Sequence, residues 1–209
     1  MQTNPGLKLG CLICFALILT AAGTIPFYFE SSSMLYKFGT AKLLLRTGKI
    51  FGILAVVLMM FQAVLVSRLG FLETIFGRVR LGRFHKFNGI GLTILVICHP
   101  IFILWAEGFS FFPFEKRYWP EFLGSGLLLL IIITTVTALL RQQVKLDWKK
   151  WLVSHRLSAI LIFFGVFFHV SHVSQPFESG VPFMLLLAAL CVALVVLVFK
   201  WVKSSGFLK

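Results

Sequence analysis

Long uncharged runs alternate with short charged segments along this chain. The runs lie between Lys8 and Glu30 (21 residues), Lys49 and Arg68 (18), Lys86 and Glu107 (20), Glu121 and Arg141 (19), Arg156 and Glu178 (21), and Glu178 and Lys200 (21). A helix needs about 20 apolar residues to cross a hydrocarbon core about 30 Å thick, so each run predicts one span. The second is expected to begin earlier, near Leu43, with Arg46 and Lys49 in its outer turn. The expected fold is an all-α membrane protein, a six-transmembrane-helix bundle forming one domain over residues 1–209. Its helices are expected over approximately 8–29, 43–67, 85–106, 121–140, 153–175 and 180–201. The first run exceeds the roughly 7–15 residues of a cleaved signal core, and the hydrophobic stretch follows Leu9-Gly10-Cys11 instead of preceding it, unlike a lipoprotein cleavage box.

Composition removes the soluble alternatives. Hydrophobic residues make up 59% of the chain and charged residues 13%, with a mean hydropathy of +0.96. A soluble domain has about 45–50% and about 25%, so a soluble enzyme, a disordered tail and a disulfide scaffold are excluded. The net charge of +13 would suit nucleic acid only if the basic residues shared a folded aqueous face. They sit between apolar runs instead, and no nucleic-acid partner is expected. The four cysteines sit among apolar residues and give no disulfide framework; Cys11-x-x-Cys14, inside a span, reads as a pair of small core residues.

Charge also sets an orientation. With the N-terminus inside, the inner segments hold 14 Lys and Arg and the outer ones 6, while Glu73 and Asp147 are the inner acids against five outer glutamates. The positive-inside rule then places both termini in the cytoplasm. Phe109, Phe111, Phe112, Phe114, Tyr118 and Trp119 read as an outer interfacial belt. The expected location is the bacterial inner membrane, as a multi-pass integral protein.

The histidines carry the chemistry. All five (His85, His99, His155, His169 and His172) fall on the third and fifth spans or at their inner ends. His85 to His99 is 14 residues, and so is His155 to His169. Fourteen steps of about 100° fall roughly 40° short of four turns, so each pair shares a helix face and is separated by about 21 Å along the axis. Both helices run from inside to outside. His85 is therefore level with His155, and His99 with His169, which is the arrangement two stacked haems need. Gly89, four residues after His85, and Gly165, four before His169, lie on the membrane-centre side, where a missing side chain admits a flat macrocycle. The competing reading of these glycines is close helix packing. For the histidines the competing readings are polar glue, a proton relay or a haem-free transporter; a relay has no reason to repeat one spacing on two parallel helices.

These residues resemble the ferric reductase-like transmembrane domain family, which includes the haem domains of NADPH oxidases and ferric-chelate reductases and small bacterial haem subunits. The resemblance runs from Arg46 through the sixth helix. It rests on Arg46-Thr47-Gly48-Lys49, on His85-Lys86-Phe87-Asn88-Gly89 with His99-Pro100, and on His155-Arg156 with His169. It implies two b-type haems, held by His85 with His155 and by His99 with His169, carrying electrons outward from a cytoplasmic flavin. The flavin and nicotinamide domain usual in such oxidases is expected on a partner chain or a missing domain, since no G-x-G-x-x-G fingerprint occurs. The expected donor is a flavoprotein reductase using FAD and NAD(P)H, or quinol. The acceptor is a ferric chelate, oxygen or an extracytoplasmic protein. The alternative role is a haem-bearing anchor for an extracytoplasmic reductase. With imidazole on both faces of each iron, reduction of the acceptor is expected at the porphyrin edge.

Charged neighbours complete the expected site. Arg83, Lys86 and Arg156 flank the inner ligands as partners for haem propionates or as lipid anchors. Arg46 and Lys49 lie outside against the charge rule, suited to outer propionates or an anionic substrate, with snorkelling to headgroups as the alternative. His172 lies three residues beyond His169 and about 300° around the helix. It is the alternative outer ligand; as a bystander it would serve reduced oxygen or a chelate at the outer haem edge.

Overall fold

The structure, a computed structural model, describes residues 5–67, 69–110 and 114–204, with side chains as far as Val196. Arg68, Phe111, Phe112 and the side chain of Lys200 lie outside the described residues. The described chain is helical: α1 Pro5–Tyr28, α2 Ser32–Leu35, α3 Gly39–Val66, α4 Gly70–Phe76, α5 Arg78–Ala106, α6 Trp119–Leu140, α7 Trp148–Val173 and α8 Gly180–Ser204.

Five of these helices, α1, α3, α5, α6 and α7, are long and apolar enough to cross a membrane. The sixth run forms α8, whose described apolar stretch is Gly180–Val196. At most 17% of the residues in any of the five spanning windows are buried inside the protein. Leu12, Leu17, Leu129, Leu161 and Val195 are all more than half exposed. Soluble monomers rarely leave apolar patches of more than a few hundred Å² open. The solvent of this outer surface is therefore lipid, and the chain is a multi-pass integral membrane protein.

Three helices begin nine or more residues before their hydrophobic runs do. α3 starts at Gly39, α5 at Arg78 and α7 at Trp148. Hydropathy marks only the lipid-immersed length, whereas helical hydrogen bonding continues until a residue stops it. For α5 that residue is Gly77, whose φ of 79° suits glycine; Arg78, Arg80 and Arg83 then ride on turns that hydropathy reads as loop. For α7 it is Asp147, whose carboxylate accepts from the Lys150 N–H at 2.9 Å as an N-cap.

Two close helix pairs form the bundle. α3 packs along α5: a Cβ on Gly48 would meet Ile103 Cδ1 at 2.8 Å, and Asn88 Nδ2 donates to the Leu58 carbonyl at 2.8 Å. α6 packs along α7, where a Cβ on Gly165 would meet Leu127 Cδ2 at 2.6 Å. Glycine lets helix axes approach where lipid supplies no hydrophobic drive. The pairs meet in an apolar core of Ala55, Met59, Leu92, Ile131, Ile162 and Phe163, closed by Leu190 and Ala193 of α8. Leu92 is seven residues from both His85 and His99, and Ile162 seven from both His155 and His169, so this core fills the middle depth of the bundle.

Candidate functional site

Four histidines face one another in two pairs. The His85 and His155 ring centres are 6.4 Å apart with planes at 77°, and those of His99 and His169 are 6.5 Å apart at 84°. The two contacts together make α5 and α7 parallel and in register. A histidine nitrogen sits about 2 Å from a metal it binds and about 1.1 Å from its own ring centre, so two imidazoles on one metal ion place their centres about 6 Å apart. Both separations fit that span.

The His99–His169 pair is held by backbone. His99 Nδ1 lies 2.8 Å from the Gly48 carbonyl, and His169 Nδ1 lies 2.8 Å from the Pro120 carbonyl. A carbonyl oxygen only accepts, so each Nδ1 carries the proton and donates it, leaving Nε2 as the ring's lone-pair nitrogen. The same backbone makes room for the rings. A Cβ on Gly52 would lie 2.9 Å from His99 Nδ1, and one on Gly124 would lie 2.5 Å from His169 Cε1. Gly52 is four residues after Gly48, and Gly124 four after Pro120. Each ring therefore lies over a glycine and bonds to the carbonyl one turn earlier.

The His85–His155 pair is held by an aromatic wall. The Trp151 and His155 ring centres are 5.0 Å apart with planes at 25°. On α5, Gln62 Nε2 donates to the His85 carbonyl at 3.1 Å, and a Cβ on Gly89 would meet that same Nε2 at 2.8 Å. Gly89 and Gly165 thus face Gln62 and Leu127 at helix contacts. The glycines beneath the rings are Gly52 and Gly124, which the sequence reading missed. The Gly48–Gly52 pair is itself a G-x-x-x-G step, a signal legible in the chain.

The remaining expected residues sort by exposure. Arg83, Lys86 and Arg156 are exposed beside the His85–His155 level. Arg46 pairs with Glu30 and lies 4.6 Å over the Phe27 ring, and Lys49 donates to Ser31 Oγ. Lys42 joins Glu30 at 3.2 Å, and Lys37 meets Glu107 at 2.9 Å. The cations at this end therefore hold α1, α3 and α5 together as well as presenting charge. His172 is exposed; its Nδ1 donates to the Phe168 carbonyl at 2.9 Å and its ring lies 5.0 Å from Trp119. His169, not His172, stands opposite His99.

Parallel helices of a multi-pass membrane protein thus present opposed imidazoles at two depths. The model of the ferric reductase like transmembrane component family matches residues 51–166, more than half of the chain, and the chain belongs to that family. No match to a curated protein or to a solved structure accompanies it. Membership carries a transmembrane redox role of the ferric-reductase and NADPH-oxidase kind, as an oxidoreductase-type membrane subunit working with redox partners. The matched stretch contains His85, His99 and His155; His169, Arg46 and Lys49 lie beyond its ends.

Proposed function

We propose that this chain carries electrons across the membrane through two b-type haems, one held by His85 and His155 and the other by His99 and His169. One observation carries the reading: two pairs of opposed imidazoles, 6.4 and 6.5 Å between ring centres, on parallel helices and one above the other. The donor chemistry supports it. Among the described residues no group of three or more His, Cys, Asp or Glu gathers to hold a metal ion, and bare zinc sites use three or four protein ligands. Two facing imidazoles would suit a metal that arrives already held in a cofactor. The Nδ1–H bonds of His99 and His169 to carbonyls favour the same use, because they fix the tautomer and raise the basicity of Nε2. When bound, the haems supply one-electron redox chemistry.

The protein's own residues do the rest. Gly48 and Pro120 orient the outer imidazoles through their carbonyls, and Gly52 and Gly124 leave space for the rings. The core around Leu92, Ile162 and Phe163 keeps water from the depth between the pairs, which are about 21 Å apart along the helix axis. Arg83 and Arg156 stand where carboxylates of an inner group would be neutralised. Arg46 and Lys49 give the outer end a cationic rim for an anionic acceptor.

In the same reading the chain is one six-span domain over residues 1–209 with both termini cytoplasmic, in a bacterial inner membrane. A cytoplasmic flavoprotein using FAD and NAD(P)H, or quinol, is the donor. A ferric chelate, oxygen or an extracytoplasmic protein is the acceptor. Reduced pyridine haemochrome per mole of purified chain tests the proposal. A ratio near two is expected, a ratio near one means a single haem, and a ratio near zero removes the reading.

A further inference from the structure

The start of α7 carries a run of stacked rings that the two-haem reading leaves unused. Trp148, Trp151 and His155 are spaced three and four apart, so they share one helix face. The Asp147 cap fixes the first turn and with it the register of that face. The Trp148 and Trp151 ring centres are 5.1 Å apart at 32°, and those of Trp151 and His155 are 5.0 Å apart at 25°. From the end of α6, the Arg141 guanidinium lies 4.8 Å over the Trp148 ring and 5.6 Å over that of Trp151. Trp148 is half exposed at the helix end, whereas the Trp151 indole nitrogen is buried and has no hydrogen-bond partner among the described residues. Trp151 is therefore placed by a stack on His155 and a tilted ring contact with Trp148, not by its own N–H.

We propose that Trp151 is the positioning residue of the inner pair, holding the plane of the His155 imidazole through a stack that Trp148 and Arg141 back from the helix end. The inference deepens the two-haem reading and rests on it. A stacked indole restrains rotation of the imidazole about its Cβ–Cγ bond, because aromatic rings prefer defined offset-stacked or edge-to-face arrangements. The restraint matters because the angle between two axial imidazole planes sets the anisotropy of a low-spin ferric haem, and the axial ligands tune its potential. The planes of His85 and His155 stand at 77°, so a low-spin ferric haem held by both rings would be of the strongly anisotropic type. The guanidinium also places a positive charge behind the ligand, which favours the reduced state.

Electron paramagnetic resonance and redox titration of the full haem-loaded chain test this, with His155→Ala identifying the inner signal by its loss. In Trp151→Leu the inner signal is expected to move toward the less anisotropic type. The oxidised-to-reduced ratio of that haem should change three- to tenfold at fixed ambient potential, up to about 59 mV for a one-electron couple, with the outer haem unchanged. Trp151→Phe keeps a stacking ring and should retain both the inner signature and its potential. Selective loss of the inner haem from Trp151→Leu, with Trp151→Phe like the parent, also supports the proposal. Arg141→Gln should lower the inner potential and leave the signal shape alone. An unchanged inner signal in Trp151→Leu overturns the proposal, as does an equal change in Trp151→Phe. A parent chain that binds no haem overturns the two-haem reading itself, an outcome separate from either of these.

Discussion

The two histidine pairs are alike in separation and unlike in support. At the His99–His169 pair, the outer one in the proposed orientation, each ring is tied by Nδ1 to a carbonyl of the neighbouring helix, at 2.8 Å for both. At the His85–His155 pair one supporting contact is a face-to-face stack of His155 on Trp151, with centres 5.0 Å apart. A backbone carbonyl is fixed by the helix that owns it, so it constrains ring plane and tautomer together. A stack constrains the plane alone. The His99–His169 site is thus written into the packing of α3 on α5 and of α6 on α7, and the His85–His155 site draws in part on side chains at the start of α7. Rings tied to backbone tolerate little change beneath them, whereas the inner site can be adjusted by substitution at the surface.

The largest expected effects treat the pairs alike. His99→Ala or His169→Ala should remove the outer haem, and His85→Ala or His155→Ala the inner one. Each should abolish electron transfer from an inside reductant to an outside acceptor in proteoliposomes, and transfer surviving any of the four would break the series arrangement. Next come the glycines, where the pairs should part. Gly124→Val and Gly52→Val press a side chain into a ring already at 2.5 and 2.9 Å from the added Cβ. Overpacking of this kind costs about 1–3 kcal/mol, which corresponds to outer-haem retention lower by about fivefold or more while the inner haem stays. Gly89→Ala meets only the flexible end of Gln62, and haem content should change less than twofold.

A smaller effect is expected at the inner end. Asp147→Ala removes the N-cap of α7, a change worth about 0.5–2 kcal/mol. It should lower the thermal midpoint and broaden the inner haem signal, with the outer signal unmoved; equal broadening of both would show that the cap acts on the bundle as a whole. The smallest effect belongs to His172. His172→Ala should leave both haem spectra intact and slow acceptor reduction a few-fold in stopped-flow measurements. Loss of the outer haem in that variant, with His169→Ala retaining it, would exchange the two assignments.

Much of the site is periodicity and was therefore legible. The 14-residue spacing on two helices puts His85 level with His155 and His99 level with His169, and the structure brings those rings together. Trp151 was legible too, being four residues before His155, but one helical step beside a histidine is too common to single out without its neighbours. The glycines show the limit. Gly89 and Gly165 stand one turn from a histidine along their own helices, and the structure puts Gln62 and Leu127 beside them. Gly52 and Gly124 lie on other helices, 47 and 45 residues from the rings they admit.

By itself the sequence determined what lipid and helix geometry impose on a single segment: that the chain spans a membrane many times, and which positions share a face. The hydrocarbon core sets a length, and 3.6 residues per turn sets a register; both act within one helix. The tertiary structure decided which carbonyl each outer imidazole meets, which glycine lies under it, and that Arg46 meets Glu30 while Trp151 meets His155. Those contacts depend on the rotation and depth at which one helix packs against another. That is settled by shape over a whole interface, where side chains far apart in the chain must fit together at once.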